Sequence, residues 1–189
     1  MNECEDERIL ENPRERCYFC KHALFSKLRA LARDEGISVL LDGTNADDLK
    51  EYRPGLRALK ELDIISPLAR CGVTKAMVRQ ASKEAGLPTA HAPSTPCLAT
   101  RLPYGTRLTP SLLARVEEGE RFLHTFGFHN LRLRTDGQQA RIEVDVDALD
   151  TVLLHRQEIL AGLKALSFSP VTLDLEGFRS GSYDRKEGE

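Results

Sequence analysis

Ile37-Ser-Val-Leu-Leu-Asp-Gly-Thr-Asn45, read with the segment before it, decides the fold class. Residues 37–41 form a short apolar run rich in β-branched side chains, the pattern of a buried strand. Upstream, Lys21–Glu35 (KHALFSKLRALARDE) places Leu24, Leu28, Leu31 and Ala32 at i, i+4, i+7 and i+8, which predicts one face of a helix with Lys and Arg opposite. Gly36 stands where a helix commonly ends on a left-handed residue. Helix, glycine, buried strand is half of a βαβ unit, so the first part of the chain reads as α/β.

Downstream of that strand the pattern continues. Leu56–Leu62 predicts a short helix, Ile64-Ile65 a second buried strand, and Thr74 the N-cap of a helix over 75–84 closed by Gly86 and Pro88. Residues 89–109, with Pro93, Pro96, Pro103 and Gly105, read as a loop and place a domain boundary, dividing the chain into 1–100 and 101–189. Thr109 and Pro110 open a long helix to about Phe126. Strands at 129–134 and 139–145 flank Asp136-Gly137, a hairpin signal. A helix over 148–165 and a strand at 171–175 complete a small α+β domain with helices on one face of a sheet.

Composition narrows the function classes. The 189 residues carry 27 Lys+Arg and 29 Asp+Glu, a net charge of −2, which offers no general argument for nucleic-acid binding. No window approaches the ~18 apolar residues of a membrane span. The charged opening, MNECEDERILENPRER, is unlike an export signal, so a cytoplasmic, reducing setting is expected. Five cysteines, at 4, 17, 20, 71 and 97, then point to metal or catalytic chemistry rather than a disulfide framework.

Five groups of residues are candidates for chemistry. Cys17-Tyr-Phe-Cys20 suits part of an iron–sulfur site, half a zinc site or a redox pair, and equally two unrelated thiols. Cys97 lies in a Pro-rich loop four residues before Arg101, a cation that favours the thiolate. Three thiols, two local and one distant, would leave one iron of a [4Fe–4S] cluster open to an external sulfur. Asp42, Thr44, Asn45, Asp47 and Asp48, at a strand end, suit either a Mg²⁺–nucleotide edge or a capped turn. Arg132 and Arg134 share a strand face as a phosphate or carboxylate clamp. Glu120, Glu143 and Asp150 either converge on Mg²⁺ or Mn²⁺ or make surface salt bridges.

Taken together the motifs resemble one family closely. They are Asn12-Pro13, Arg16-Cys-Tyr-Phe-Cys-Lys21, Leu41-Asp-Gly-Thr-Asn-Ala-Asp-Asp48, Tyr52-Arg-Pro-Gly-Leu-Arg57, Ser66-Pro-Leu68 and Leu87-Pro88. They continue with Cys97-Leu-Ala-Thr-Arg101, Pro103-Tyr-Gly105, Arg132-Leu-Arg134, Ala140-Arg-Ile-Glu143 and Gly181-Ser182. The chain resembles the LarE family, ATP-dependent sulfur transferases of the PP-loop pyrophosphatase superfamily. The resemblance implies ATP- and Mg²⁺-dependent adenylation of the carboxylates of pyridinium-3,5-biscarboxylic acid mononucleotide, then sulfur insertion, in nickel-pincer nucleotide cofactor biosynthesis. It implies that Cys97 delivers the sulfur, either becoming dehydroalanine or holding a [4Fe–4S] cluster with Cys17 and Cys20. It further implies that Arg101, Arg132 and Arg134, with Thr100 alongside, face the substrate phosphate. The resemblance also implies that Glu120, Glu143 and Asp150 match an acidic metal site, and that the chain assembles as a homo-oligomer, a hexamer.

One departure is large. The family's phosphate-cradling S-G-G-x-D-S loop occurs nowhere in these 189 residues. That loop binds pyrophosphate through backbone amides and a helix N-terminus. The expectation is therefore a truncated PP-loop sheet followed by the α+β domain, with the loop carried by an upstream half. The alternatives are an inactive or split fragment acting as an iron–sulfur or metal-binding module, and another PP-loop enzyme such as a tRNA thiolase, which would need a basic RNA-binding face.

Overall fold

The computed structural model describes residues 6–92 and 95–179. Cys4, Pro93, Gly181 and Ser182, singled out above, lie outside the described residues. The chain divides after Ala92 into two compact units, and residues 10–12 belong with the second. The architecture is mixed α/β, mostly helical with one three-stranded sheet.

The first unit contains helices α1 (Glu7–Leu10, its last residue in the second unit), α2 (Arg16–Asp34), α3 (Gly55–Glu61), α4 (Pro67–Arg70) and α5 (Lys75–Glu84). Helix α2 begins five residues before the apolar periodicity does, so Cys17 and Cys20 are helical. It ends before Gly36, whose φ of +72° suits a residue without a Cβ. Thr74 caps α5 as its spacing predicts, its hydroxyl accepting the Met77 N–H at 3.3 Å. Gly55 lets the start of α3 approach the Cys17 carbonyl of α2, where an added Cβ would lie 3.4 Å from that oxygen and 2.9 Å from Lys21 Cδ.

Two expectations for this unit are corrected. Residues 37–41 do not form a buried strand. Their one ladder contact is a parallel bridge between Leu41 and Ile65, and Ile37, Val39 and Leu41 are 55%, 51% and 59% exposed. A buried parallel strand requires neighbours along its edges and cover on both faces, and among the described residues only 64–65 lies alongside. Nor is the apolar stripe of α2 a core face: Ala32 is buried, but Leu31 is 57% exposed.

The second unit contains α6 (Pro110–His124), β1 (Leu131–Arg134), β2 (Ala140–Val144), α7 (Leu149–Leu154), α8 (Arg156–Ala165) and β3 (Val171–Leu173). Thr109 caps α6 by accepting the Leu112 N–H at 3.2 Å, with Pro110 in the first turn. The hairpin forms about Asp136-Gly137, pairing β1 antiparallel to β2 with Leu133 opposite Ile142. Strand β3 then adds parallel to β2. The expected helix over 148–165 is two helices, interrupted at His155.

Alternation along β1 and β2 sends Leu131, Leu133, Ala140, Ile142 and Val144 into one core with Val116 and Leu123 of α6, Ile159 and Leu163 of α8, and Phe168. Gly119 and Gly162 permit that packing. A Cβ on Gly119 would collide with Leu133, and one on Gly162 with the Phe122 ring. The opposite face of the hairpin carries Arg132, Arg134, Arg141 and Glu143, and this polar face is the ground on which the site stands.

Candidate functional site

Cys97 precedes a 3₁₀ turn, Leu98–Arg101, in the second unit. Its side chain is exposed. Its backbone is fixed: the Cys97 carbonyl accepts the Thr100 N–H at 2.9 Å, the Thr100 hydroxyl at 2.8 Å and Arg101 Nη1 at 3.4 Å. Arg101 is 2% exposed and forms a two-pronged pair with Glu120 of α6, Nε and Nη2 each at 2.8 Å. Its Nη1 also reaches the Pro96 carbonyl at 3.1 Å and the Thr100 hydroxyl at 3.0 Å. Glu120 in turn accepts the Leu133 N–H at 2.9 Å. The turn is thus tied to both α6 and β1.

Arg134 continues the network. Its Nη1 donates to the Thr100 carbonyl at 2.6 Å and its Nε to Glu143 at 3.0 Å. Glu143, 1% exposed, also receives Arg141 at 3.1 Å. Arg132 lies on the same strand face with its guanidinium 4.9 Å from the Phe178 ring centroid. Burial, then the neighbouring Arg101, and Arg134 too, lower the Arg132 pKa, against the pull of Glu120 and Glu143.

The structure brings together Cys97, Thr100, Arg101, Glu120, Arg134 and Glu143. It does not gather Glu120, Glu143 and Asp150. Both glutamates are committed to arginines, Asp150 is exposed in the first turn of α7, and among the described residues no three His, Cys, Asp or Glu side chains group as a metal site. The acidic residues therefore do not fit a preformed Mg²⁺ or Mn²⁺ centre. Cys17 and Cys20 belong to α2 of the first unit, Cys17 exposed and Cys20 partly so, and Cys97 belongs to the second.

In the first unit, Asp42 is the centre of a small polar node. Its carboxylate accepts the Thr44 and Ser66 hydroxyls, each at 2.5 Å, with the Lys21 ammonium at 3.5 Å. Burial alone would raise the Asp42 pKa, but the Ser66 and Thr44 bonds and Lys21 outweigh it and hold the group below the usual aspartate value. The neighbouring residues make a capped turn. Asn45 Oδ1 accepts the Asp47 and Asp48 N–H groups, Asp48 accepts the Asn45 N–H at 3.0 Å and pairs with Arg53 at 2.9 Å, and Asp47 accepts the Lys75 N–H at 2.9 Å. Ser66 and Lys21 were not singled out from the sequence for this node. Only the parallel bridge, which aligns residue 41 with 65, brings 66 beside 42.

The second unit is thus a small α/β scaffold that presents an exposed cysteine on an arginine-pinned turn. No family model matches the chain. It is 39% identical over 186 residues to an uncharacterized protein of Synechocystis, covering 97% of this chain and 69% of that relative. It is 35% identical over 176 residues to the pyridinium-3,5-bisthiocarboxylic acid mononucleotide synthase of Lactiplantibacillus plantarum, covering 93% and 64%. An uncharacterized protein of Methanocaldococcus jannaschii is 34% identical over 174 residues, covering 92% and 68%. The chain belongs to the LarE family, and it spans about two thirds of the length of these relatives.

Proposed function

We propose that this chain is the sulfur-donating and substrate-binding part of an ATP-dependent sulfur transferase. Its substrate is pyridinium-3,5-biscarboxylic acid mononucleotide, and its place is in nickel-pincer cofactor biosynthesis. The name of the Lactiplantibacillus relative supports the substrate class. The observation that carries the reading is the exposed Cys97 on a fixed backbone beside the Arg132–Arg134 strand face. That face is the docking point for the substrate phosphate.

The chemistry follows from leaving-group quality. A substrate carboxylate oxygen attacks the α-phosphorus of ATP, pyrophosphate departs, and the acyl adenylate forms with Mg²⁺ beside the phosphates. The Cys97 sulfur attacks the acyl carbon and AMP leaves. Loss of the Cys97 Cα proton with cleavage of its Cβ–S bond leaves a thiocarboxylate on the product and dehydroalanine at position 97. The pyrophosphate-cradling loop needed for the first step is not among these 189 residues. The open edge at 37–41, with its parallel bridge to Ile65, is the surface on which a polypeptide carrying that loop would add a strand.

The test is a single-turnover assay of the chain supplied with such a loop-bearing half. Cys97→Ala should abolish thiolation and leave AMP formation intact, while Cys71→Ala should change neither. Thiolation by the Cys97→Ala protein would refute the assignment. Anaerobic reconstitution with iron and sulfide, followed by absorbance, separately asks whether Cys17, Cys20 and Cys97 take up a cluster.

A further inference from the structure

We infer that Arg101 is a positioning residue for Cys97 and that Glu120 is its counter-ion. The pair pins the backbone beneath the exposed thiol, and Glu120 cancels the charge that Arg101 alone would place there. The inference builds on Cys97 as sulfur donor, and it gives Arg101 and Glu120 work other than holding phosphate and metal.

The geometry carries it. Each nitrogen of the Arg101 guanidinium is engaged: Nε and Nη2 with Glu120, Nη1 with the Pro96 and Cys97 carbonyls and the Thr100 hydroxyl. The side chain is 2% exposed. An arriving phosphate would have to displace a carboxylate held in both prongs, itself fixed by the Leu133 N–H. A divalent cation at Glu120 would have to displace the arginine, leaving a buried charge without its partner. The fork is instead the shape needed to join α6 to three acceptors of one turn, which a lysine cannot do. The exposed Cys97 side chain contrasts with its carbonyl, which receives three donors. The sulfur is free to react while its main chain is not free to move.

Charge selectivity at the thiol tests this without any sulfur transfer, so its outcome is separable from the donor reading. Cys97 in the 189-residue chain is alkylated with anionic iodoacetate and with neutral iodoacetamide, and the rate ratio is read by peptide mass spectrometry against Cys71 in the same sample. Glu120→Gln removes the counter-charge and should raise the iodoacetate preference at Cys97 about threefold or more, with Cys71 unchanged. Glu120→Asp keeps the charge and should restore the wild-type ratio. A pair that only stabilises the fold would lower the melting temperature without moving the ratio. The proposal is overturned if a folded Glu120→Gln chain keeps the wild-type ratio. Should Glu120→Gln fail to fold, Glu120→Asp decides the matter: a ratio that departs from the wild type's overturns the proposal.

Discussion

The two units respond differently to similar sequence signals. In the second, apolar residues recurring along α6, β1, β2 and α8 meet one another, and Val116, Leu123, Leu131, Leu133, Val144, Leu163 and Phe168 are wholly out of solvent. In the first, an equally regular stripe on α2 and an equally apolar run at 37–41 remain at the surface. Periodicity states which face is apolar. Burial requires a second apolar face in the right place, and only the second unit supplies one among the described residues. An exposed apolar edge of this kind invites pairing with another strand, which is why the open surface and the pinned cysteine belong to one functional reading.

The contrast can be broken at several strengths. Phe168→Ala in the closed core should cost about 3–5 kcal/mol in a urea titration. Glu143→Gln leaves Arg134 and Arg141 facing a neutral group and should also cost about 3–5 kcal/mol. A smaller loss of stability would mean that water reaches this face. Gly162→Ala drives a methyl into the Phe122 ring and should cost about 1–3 kcal/mol by thermal melting. Leu31→Ala and Val39→Ala, in the open region, should stay within about 0.5 kcal/mol of wild type. Losses of core size at either position would show that the stripe is covered in solution.

Acid sensitivity sharpens the same comparison. The Asp42 pKa is lower folded than unfolded, so its contribution to stability is complete above the unfolded value, near 3.9. It is lost as pH falls below that value and through the depressed folded one. Asp42→Asn should therefore flatten the acid limb of the stability–pH curve in the first unit. It should leave the exchange protection of the Leu133 and Ile142 amides in the second unit unaltered.

Legibility in the sequence follows the same division. The α6 cap, the hairpin about Asp136-Gly137 and the Thr74 cap were readable, because each depends on residues near one another in the chain. The His155 break was not, since the 148–165 pattern continues across it. Cys97 and the arginines could be singled out from the sequence, but their bonding was not legible. Whether a glutamate meets a metal or an arginine is settled by which side chains the folded strands bring within 3 Å, and the spacing of Glu120 and Glu143 fits both. The exposure of 37–41 was the least readable of all, because a buried and an open strand share one composition.

Hydrogen exchange resolved by residue tests the contrast most directly. The Leu133 amide, bonded to the Glu120 carboxylate, and the Ile142 amide opposite it, both in strands of the closed core, should exchange only through global unfolding. The Val39 and Leu41 amides should exchange at near-intrinsic rates in the isolated chain. Protection at Val39 and Leu41 equal to that at Leu133 would contradict the account.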